Sequence, residues 1–162
     1  MAEETYPMTP AGQKRLRERL RQLRDVDRHE NVKEIEAALE HGDLRENAEY
    51  HAAKERQGHI DAEIKQTEYQ LGRAQVIDPA SIKSETIGFG ATVRLLDLDT
   101  DEEHTYSLVG EIESDVDRGR ISIHTPIARA LLGKREGDEV TIKLPRGERE
   151  YEVVSVAYEA LD

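Results

Sequence analysis

Two carboxylates three residues apart, Asp43 and Glu46, sit inside Gly42-Asp43-Leu44-Arg45-Glu46-Asn47-Ala48-Glu49-Tyr50. No cysteine occurs in the sequence, which leaves hard oxygen ligands of the kind that suit Mg²⁺ or Mn²⁺ better than zinc. Two carboxylates do not complete such a site, because Mg²⁺ prefers six ligands and usually keeps waters and substrate phosphates. The pair makes chemical sense where a partner supplies the other ligands. Two-metal phosphodiester hydrolysis uses ions about 3.5–4 Å apart, one activating water and one stabilising the leaving oxygen. A donated pair of carboxylates could retain the second, weakly held ion. On these residues alone a plainer role is the favoured one: Asp-x-x-Glu is a capping box, with Asp43 as N-cap of a helix and Glu46 reaching back to it. The two roles can coexist.

Other candidates for chemistry are few. His41, His51 and His59 stand ten and eight residues apart, unlike the spacing of a zinc motif such as H-E-x-x-H. No Ser/His/Asp arrangement suggests nucleophilic catalysis, and no Gly-rich phosphate loop is present. Tyr50 fits a packing role, or one orienting an acid, better than a chemical one. Lys54, with Glu55 alongside, reads as an exposed helix lysine.

The elements that must position the acids are helical. Pro10 and Pro79 bracket a long stretch without proline, and a proline inside a helix costs about 3 kcal/mol. Within it the plausible reversal is His41-Gly42-Asp43, which predicts two long antiparallel helices with Asp43 and Glu46 at their far end. Once the second helix has started, residues three apart share a face. Thr9-Pro10 reads as a helix start, with Thr9 as N-cap and Pro10 at the first helical position. Leu16, Leu20 and Leu23 follow a 4,3 spacing, which Val32, Ile35 and Leu39 resume in a shifted phase. The slip across Asp25–Asn31 predicts a kink, a stutter or a short break. On the return, Tyr50, Ala53, Gln57, Ile60, Ile64, Thr67, Leu71 and Ala74 alternate by 3 and 4, the seam of an antiparallel coiled coil, with Gly58 and Gly72 as weak points. Thirty residues per helix give an arm of about 45 Å.

After Asp78-Pro79 the heptads give way to short alternating runs. Ala91–Leu96, His104–Val109, Arg120–His124, Glu139–Leu144 and Glu150–Ala157 read as strands, and Pro145-Arg146-Gly147-Glu148 as the hairpin turn between the last two. A short helix lies before the fourth strand, capped by Thr125, opened by Pro126 and ended at Gly133. Periodicity alone gives an α+β fold: residues 1–78 as an antiparallel coiled-coil arm with its acidic tip near 41–47, and 79–162 as a compact antiparallel sheet with one short helix.

At 162 residues, with hydrophobic and charged residues each 36%, no Trp and one Phe, a charged arm on a small domain fits better than one large core. Without cysteine, disulfides and thiolate metal sites are excluded. No signal-like N-terminal run and no apolar stretch approaching the ~20 residues of a membrane span is present, so a cytoplasmic location is expected. The net charge of −12 argues against tight independent binding to duplex DNA, which depends on phosphate neutralisation. The charge is uneven. Lys14 to Arg28 contains seven basic and three acidic residues, and Asp97 to Asp117 contains nine acidic ones with no Lys or Arg. The basic run could meet nucleic acid or an acidic partner locally, or be a solvated face.

The segment from Glu40 to Glu55 resembles the tip of the bacterial transcript cleavage factors, the Gre family. Ala74-Gln75-Val76-Ile77-Asp78, Phe89-Gly90-Ala91-Thr92-Val93 and Pro126-Ile127-Ala128-Arg129-Ala130-Leu131-Leu132-Gly133-Lys134 are similar to that family in the same order. The resemblance implies an FKBP-like fold for the C-terminal domain and RNA polymerase as the partner. It implies that the arm enters the polymerase's secondary channel when RNA has backtracked. There the tip acids, here Asp43 and Glu46, would stimulate the polymerase's own Mg²⁺-dependent cleavage of the extruded RNA 3′ end. Glu49 matches the motif in a supporting or structural role. Lys54 matches a basic position facing the RNA, and His124-Thr125-Pro126 a region that docks on the channel rim. Two departures stand out: Leu39 where members commonly carry Arg, and His124-Thr125 where they often read Asn or Asp, then Ser.

The expected function is therefore that of a non-autonomous cofactor. Competing readings are a Gre-related inhibitor occupying the same channel, a peptidyl-prolyl isomerase suggested by the FKBP-like resemblance, and a coiled-coil adaptor that leaves the acids unexplained. Fold analogy alone is weak support for an isomerase.

Overall fold

The computed structural model describes residues 4–42 and 47–162. The chain divides into two compact units, one comprising residues 1–5 and 13–74 and the other 6–12 and 75–162. No helix among the described residues is long and apolar enough to cross a membrane.

The first unit is a helical hairpin. Helix α1 (Pro10–Gln22) runs into a π-helical turn, Leu23–Asp27, and on into α2 (Arg28–Leu39). Helix α3 (Ala48–Gly72) returns. The slip expected between 25 and 31 is this π-turn. A wider i→i+5 turn holds one residue more than an α-turn does, and the buried positions count it. Leu16, Leu20, Leu23 and Asp27 face inward by steps of 4, 3 and 4, and Asn31, Ile35 and Ala38 follow by 4, 4 and 3. Regular alternation would have used 30, 34 and 37.

The seam of α2 therefore differs from the expected one. Asn31 and Ala38 are each 2% exposed, whereas Val32 is 43% and Leu39 46% exposed. The buried Asn31 is satisfied because its Nδ2 donates to the Ala53 carbonyl at 2.9 Å, a polar seam contact of the kind that fixes register. On α3 the predicted seam is present, with Ala53, Ile60, Ile64 and Thr67 buried. Leu20, Leu23, Ile60 and Ile64 form one apolar cluster, flanked by Leu71. Ala74 is an exception: α3 ends at Gly72, and Ala74 opens a strand.

The exposure of Leu39 leads to an expected result. Leu39→Arg should leave the thermal midpoint within about 1 °C, as surface changes stay within about ±0.5 kcal/mol. Ala38→Arg, one residue earlier, should lower it severely by placing a charge in the seam. Equal melting of the two variants would contradict the seam described here.

Opposite charges face each other across the hairpin. Arg19 Nη2 lies 2.8 Å from Glu63, and Arg28 lies 3.3 Å from Asp61. Arg24 pairs with Glu68, and Arg56 with Glu34 and Glu30. Exposed pairs of this kind are worth little singly, but they engage three of the seven cations of the basic run within the arm itself.

In the second unit, β1 (Tyr6–Met8) pairs with β2 (Ala74–Val76), and the Ile77 N–H donates to the Met8 carbonyl at 2.8 Å. The main sheet contains β3 (Ala91–Asp97), β4 (Glu103–Val109), β5 (Arg120–Ser122), β6 (Glu139–Leu144) and β7 (Gly147–Tyr158), in the order β5-β4-β3-β7-β6. All its pairs are antiparallel except β4–β5, which is parallel. β5 also stops at Ser122, short of the expected His124. Helix α4 (Pro126–Leu131) closes one face, with Ala128 and Leu131 joining Val93, Leu95, Leu108, Ile142 and Val153 in the core. β6 and β7 meet where the sequence predicts, and Gly147 takes φ 129° to begin the return strand.

Residues 6–12 are fixed within this unit by Glu113, which is only 8% exposed. The Thr9 N–H donates to Glu113 Oε2 at 2.9 Å, the Thr9 hydroxyl to the other carboxylate oxygen, and the Gly12 N–H to Thr9 Oγ1 at 3.1 Å. Thr9 is thus the predicted N-cap of α1, itself anchored by an acid 104 residues away in sequence.

Candidate functional site at the hairpin tip

Asp43 and Glu46 lie outside the described residues; what can be described is the frame on either side of them. α2 ends at Leu39. Past it, the N–H groups of Glu40, His41 and Gly42 donate to the carbonyls of Ala37, Ala38 and Leu39. Gly42 takes φ 98°, a left-handed conformation in which glycine carries no Cβ penalty and which commonly ends a helix.

The other side begins with Asn47, which sequence reasoning did not single out. Asn47 is the N-cap of α3: its Oδ1 accepts the Tyr50 N–H at 3.0 Å. Its Nδ2 donates to the Ala38 carbonyl at 2.6 Å, and its own carbonyl accepts the His51 N–H at 3.1 Å. The cap of α3 is therefore Asn47, while the capping-box alternative for Asp43 and Glu46 falls on residues outside those described. The signal was present in the sequence, because Asn is as good an N-cap as Asp. The capping-box spacing of Asp43 and Glu46 masked it.

The remaining sequence candidates are scattered. Glu49 and His41 face each other across the tip, with His41 Nε2 3.5 Å from Glu49 Oε2 and both side chains well exposed. Tyr50 is half-buried, and its ring meets His51 edge-on at 5.7 Å. Lys54 is exposed and donates to Gln57 Oε1 at 2.7 Å. His59 pairs with Glu55 at 3.7 Å, so the three histidines of this region do not converge. Among the described residues no three His, Cys, Asp or Glu side chains are grouped so as to hold a metal ion.

His124, Thr125 and Pro126 form the corner between β5 and α4 in the second unit. The His124 N–H donates to Ser122 Oγ at 3.2 Å. Thr125 donates to the Ser122 carbonyl at 2.8 Å and accepts the Ala128 N–H at 3.3 Å, capping α4 as predicted. Pro126 is exposed at the first helical position. His124 and Pro126 at this corner face solvent.

The hairpin and the sheet domain each match a family of known proteins. The family model described as "Transcription elongation factor, N-terminal" matches residues 6–76, and that described as "Transcription elongation factor, GreA/GreB, C-term" matches residues 82–158. The chain is 55% identical over 153 residues to transcription elongation factor GreA of Xanthomonas axonopodis pv. citri, covering 94% of this chain and 97% of that one. It is 51% identical over 154 residues to GreA of Helicobacter hepaticus, covering 95% and 94%. Among solved structures, the GreA factor homolog 1 (Gfh1) of Thermus thermophilus is 32% identical with a TM-score of 0.44, covering 94% of this chain and 99% of that chain. The chain belongs to the GreA/GreB family of transcription elongation factors.

Proposed function

We propose that this factor binds RNA polymerase, passes its helical hairpin into the secondary channel, and stimulates the polymerase's own Mg²⁺-dependent cleavage of backtracked RNA. Family membership across both units carries this reading, because the tip that would reach the polymerase active site holds an intact Asp43-x-x-Glu46 pair. The donor chemistry fits Mg²⁺: two hard carboxylates and no thiolate. The ion, when bound, would activate water and stabilise the leaving oxygen at the phosphodiester. Asp43 and Glu46 would hold it from one side only, the polymerase and the RNA phosphate supplying the remaining ligands. Lys54, exposed on the first turns of α3, would face the RNA. The His124–Pro126 corner would dock on the channel rim from the other unit. Work in the cytoplasm follows from that partner.

Neither an inhibitor occupying the same channel nor a prolyl isomerase draws support from the curated relatives, which are named elongation factors. The test is RNA cleavage in halted, backtracked elongation complexes. Added factor should shorten the RNA from its 3′ end and restart synthesis, with no cleavage when polymerase is omitted. A factor that binds these complexes but blocks cleavage would establish the inhibitor reading. In the same assay Leu39→Arg should add one phosphate contact, steepening the dependence of binding on log salt by somewhat under one unit.

A further inference from the structure

Two guanidinium groups in the second unit converge on one acid. Arg118 closes a short helical turn, Val116–Arg118, Gly119 takes φ 69°, and Arg120 opens β5. Arg118 Nη2 donates to Asp162 Oδ1 at 2.9 Å and to the Asp162 main-chain oxygen at 3.2 Å. Arg120 Nη2 donates to the same Oδ1 at 2.9 Å, and its Nη1 to the main-chain oxygen. The two arginines thus read one aspartyl residue by its carboxylate and its backbone together. The Arg120 hydrogen bond, foremost, and the charge of Arg118 hold the Asp162 carboxyl below its usual pKa, so the bound group is the carboxylate.

The contact is lopsided. The Arg120 side chain is 9% exposed and that of Asp162 94% exposed. A buried guanidinium without a counter-charge is costly, and among the described residues Asp162 is the acid that pairs with it. An acid so exposed is well solvated alone and gains little from pairing. The contact therefore answers a need of the arginines, which another carboxylate of the same shape would meet. Asp162 reaches them from outside the regular structure: β7 ends at Tyr158, and Glu159, Ala160 and Asp162 are exposed. The surroundings fit a contact surface. β5 is an edge strand of the sheet, Val116 on the same turn as Arg118 is 84% exposed, and β5 leads into the His124–Pro126 corner. Arginine is among the residues that dominate binding at protein interfaces.

We propose that Arg118 and Arg120 bind an aspartyl side chain on the surface of RNA polymerase, and that Asp162 fills this site in the free factor until the polymerase displaces it. This rests on the polymerase-binding reading above. Asp162 is then an internal competitor: it lowers the fraction of molecules whose site is open, and the apparent affinity falls by that fraction.

Two full-length variants that break the same ion pair should move polymerase binding in opposite directions. Asp162→Asn keeps the side chain's size and removes its charge, which opens the site, and the dissociation constant for polymerase should fall about fivefold. Arg118→Gln removes a charged donor that the partner would use, and the constant should rise about fivefold. Arg118 is the informative arginine because its side chain is 44% exposed, so its loss spares the fold that removing the buried Arg120 puts at risk. A structural tether of residues 159–162 predicts the same direction for both variants. Equal or weaker binding by Asp162→Asn would overturn the proposal, and so would native affinity in Arg118→Gln. Failure of the native factor to bind polymerase at all would remove the underlying reading instead, and a second measurement then decides the site by itself. The peptide acetyl-Glu-Ala-Leu-Asp-amide, at millimolar concentration, should shift the Arg118 and Arg120 Nε–H resonances of the Asp162→Asn protein, whereas its Asn counterpart should not. Identical spectra with the two peptides would rule out a carboxylate site.

Discussion

Replacing Asp43 by Asn and Glu46 by Gln together should lower stimulated RNA cleavage by on the order of 100-fold and leave binding to polymerase nearly unchanged. Each substitution keeps the side chain's size and removes its charge, so the hairpin's packing, which depends on residues from Leu16 to Ala38 and from Ala53 to Leu71, is untouched. What is lost is the hard anionic oxygen that Mg²⁺ requires, and with it the several kcal/mol of charge stabilisation a second metal supplies in phosphodiester hydrolysis. The variant should also compete with the native factor, because the His124–Pro126 corner proposed to dock it is intact. Each single variant should retain a small activity that raised Mg²⁺ or Mn²⁺ concentration partly restores. Full cleavage by the double variant would remove the metal-delivery role. Loss of binding in parallel with cleavage would show that the tip contributes to docking.

A large loss of stability should also come from Gly12→Ala. A Cβ at residue 12 would lie 2.2 Å from the carboxyl carbon of Glu113 and 2.2 Å from its Oε1. A flexible acid at the surface would swing aside at little cost. Glu113 is 8% exposed and held by the Thr9 N–H and the Thr9 hydroxyl, so moving it breaks hydrogen bonds to a charged group, each worth about 1.5–3 kcal/mol. A loss of roughly 3 kcal/mol follows, lowering the melting temperature by on the order of 10 °C. Combining Gly12→Ala with Glu113→Ala removes the clash, so the pair should cost clearly less than the sum of the two single changes. Strict additivity would mean that the methyl group and the carboxylate never meet. The two-stranded pairing of Tyr6–Met8 with Ala74–Val76 should be the first structure to lose exchange protection.

Legibility in the sequence followed how local the cause was. The seam of α3 is readable because Ala53, Ile60, Ile64 and Thr67 keep an uninterrupted 3,4 alternation, and α4 is readable because Thr125, Pro126 and Gly133 are all local signals. The spacing in α2 points inward at Val32 and Leu39, and both are exposed, Leu39 as its match to an Arg position in the family implies. One extra residue in Leu23–Asp27 shifts the phase, and the position it brings inward, Asn31, is polar and earns its burial only by reaching the Ala53 carbonyl on another helix. β1 and β2, three residues each, exist through pairing between distant parts of the chain. The parallel placement of β5 on β4 likewise depends on Ser107 meeting Arg120, which no turn signal announces. At the tip, Asp43 and Glu46 were conspicuous as acids. Asn47 was hidden because its meaning lies in Ala38, nine residues earlier.

The π-turn has a consequence for how this arm tolerates changes of length. Because Leu23–Asp27 carries one residue beyond what an α-helix would need, deleting a single exposed residue among Arg24, Asp25 and Val26 would convert the turn to ordinary helix and leave Asn31, Ile35 and Ala38 opposite the same partners. Deleting two would rotate everything beyond the lesion off its partners. The arm thus holds one dispensable residue, placed where its removal would take out the bulge without disturbing the inner face or the reach of the limb. Close variants differing by one residue at this point would be the same tool rather than different tools.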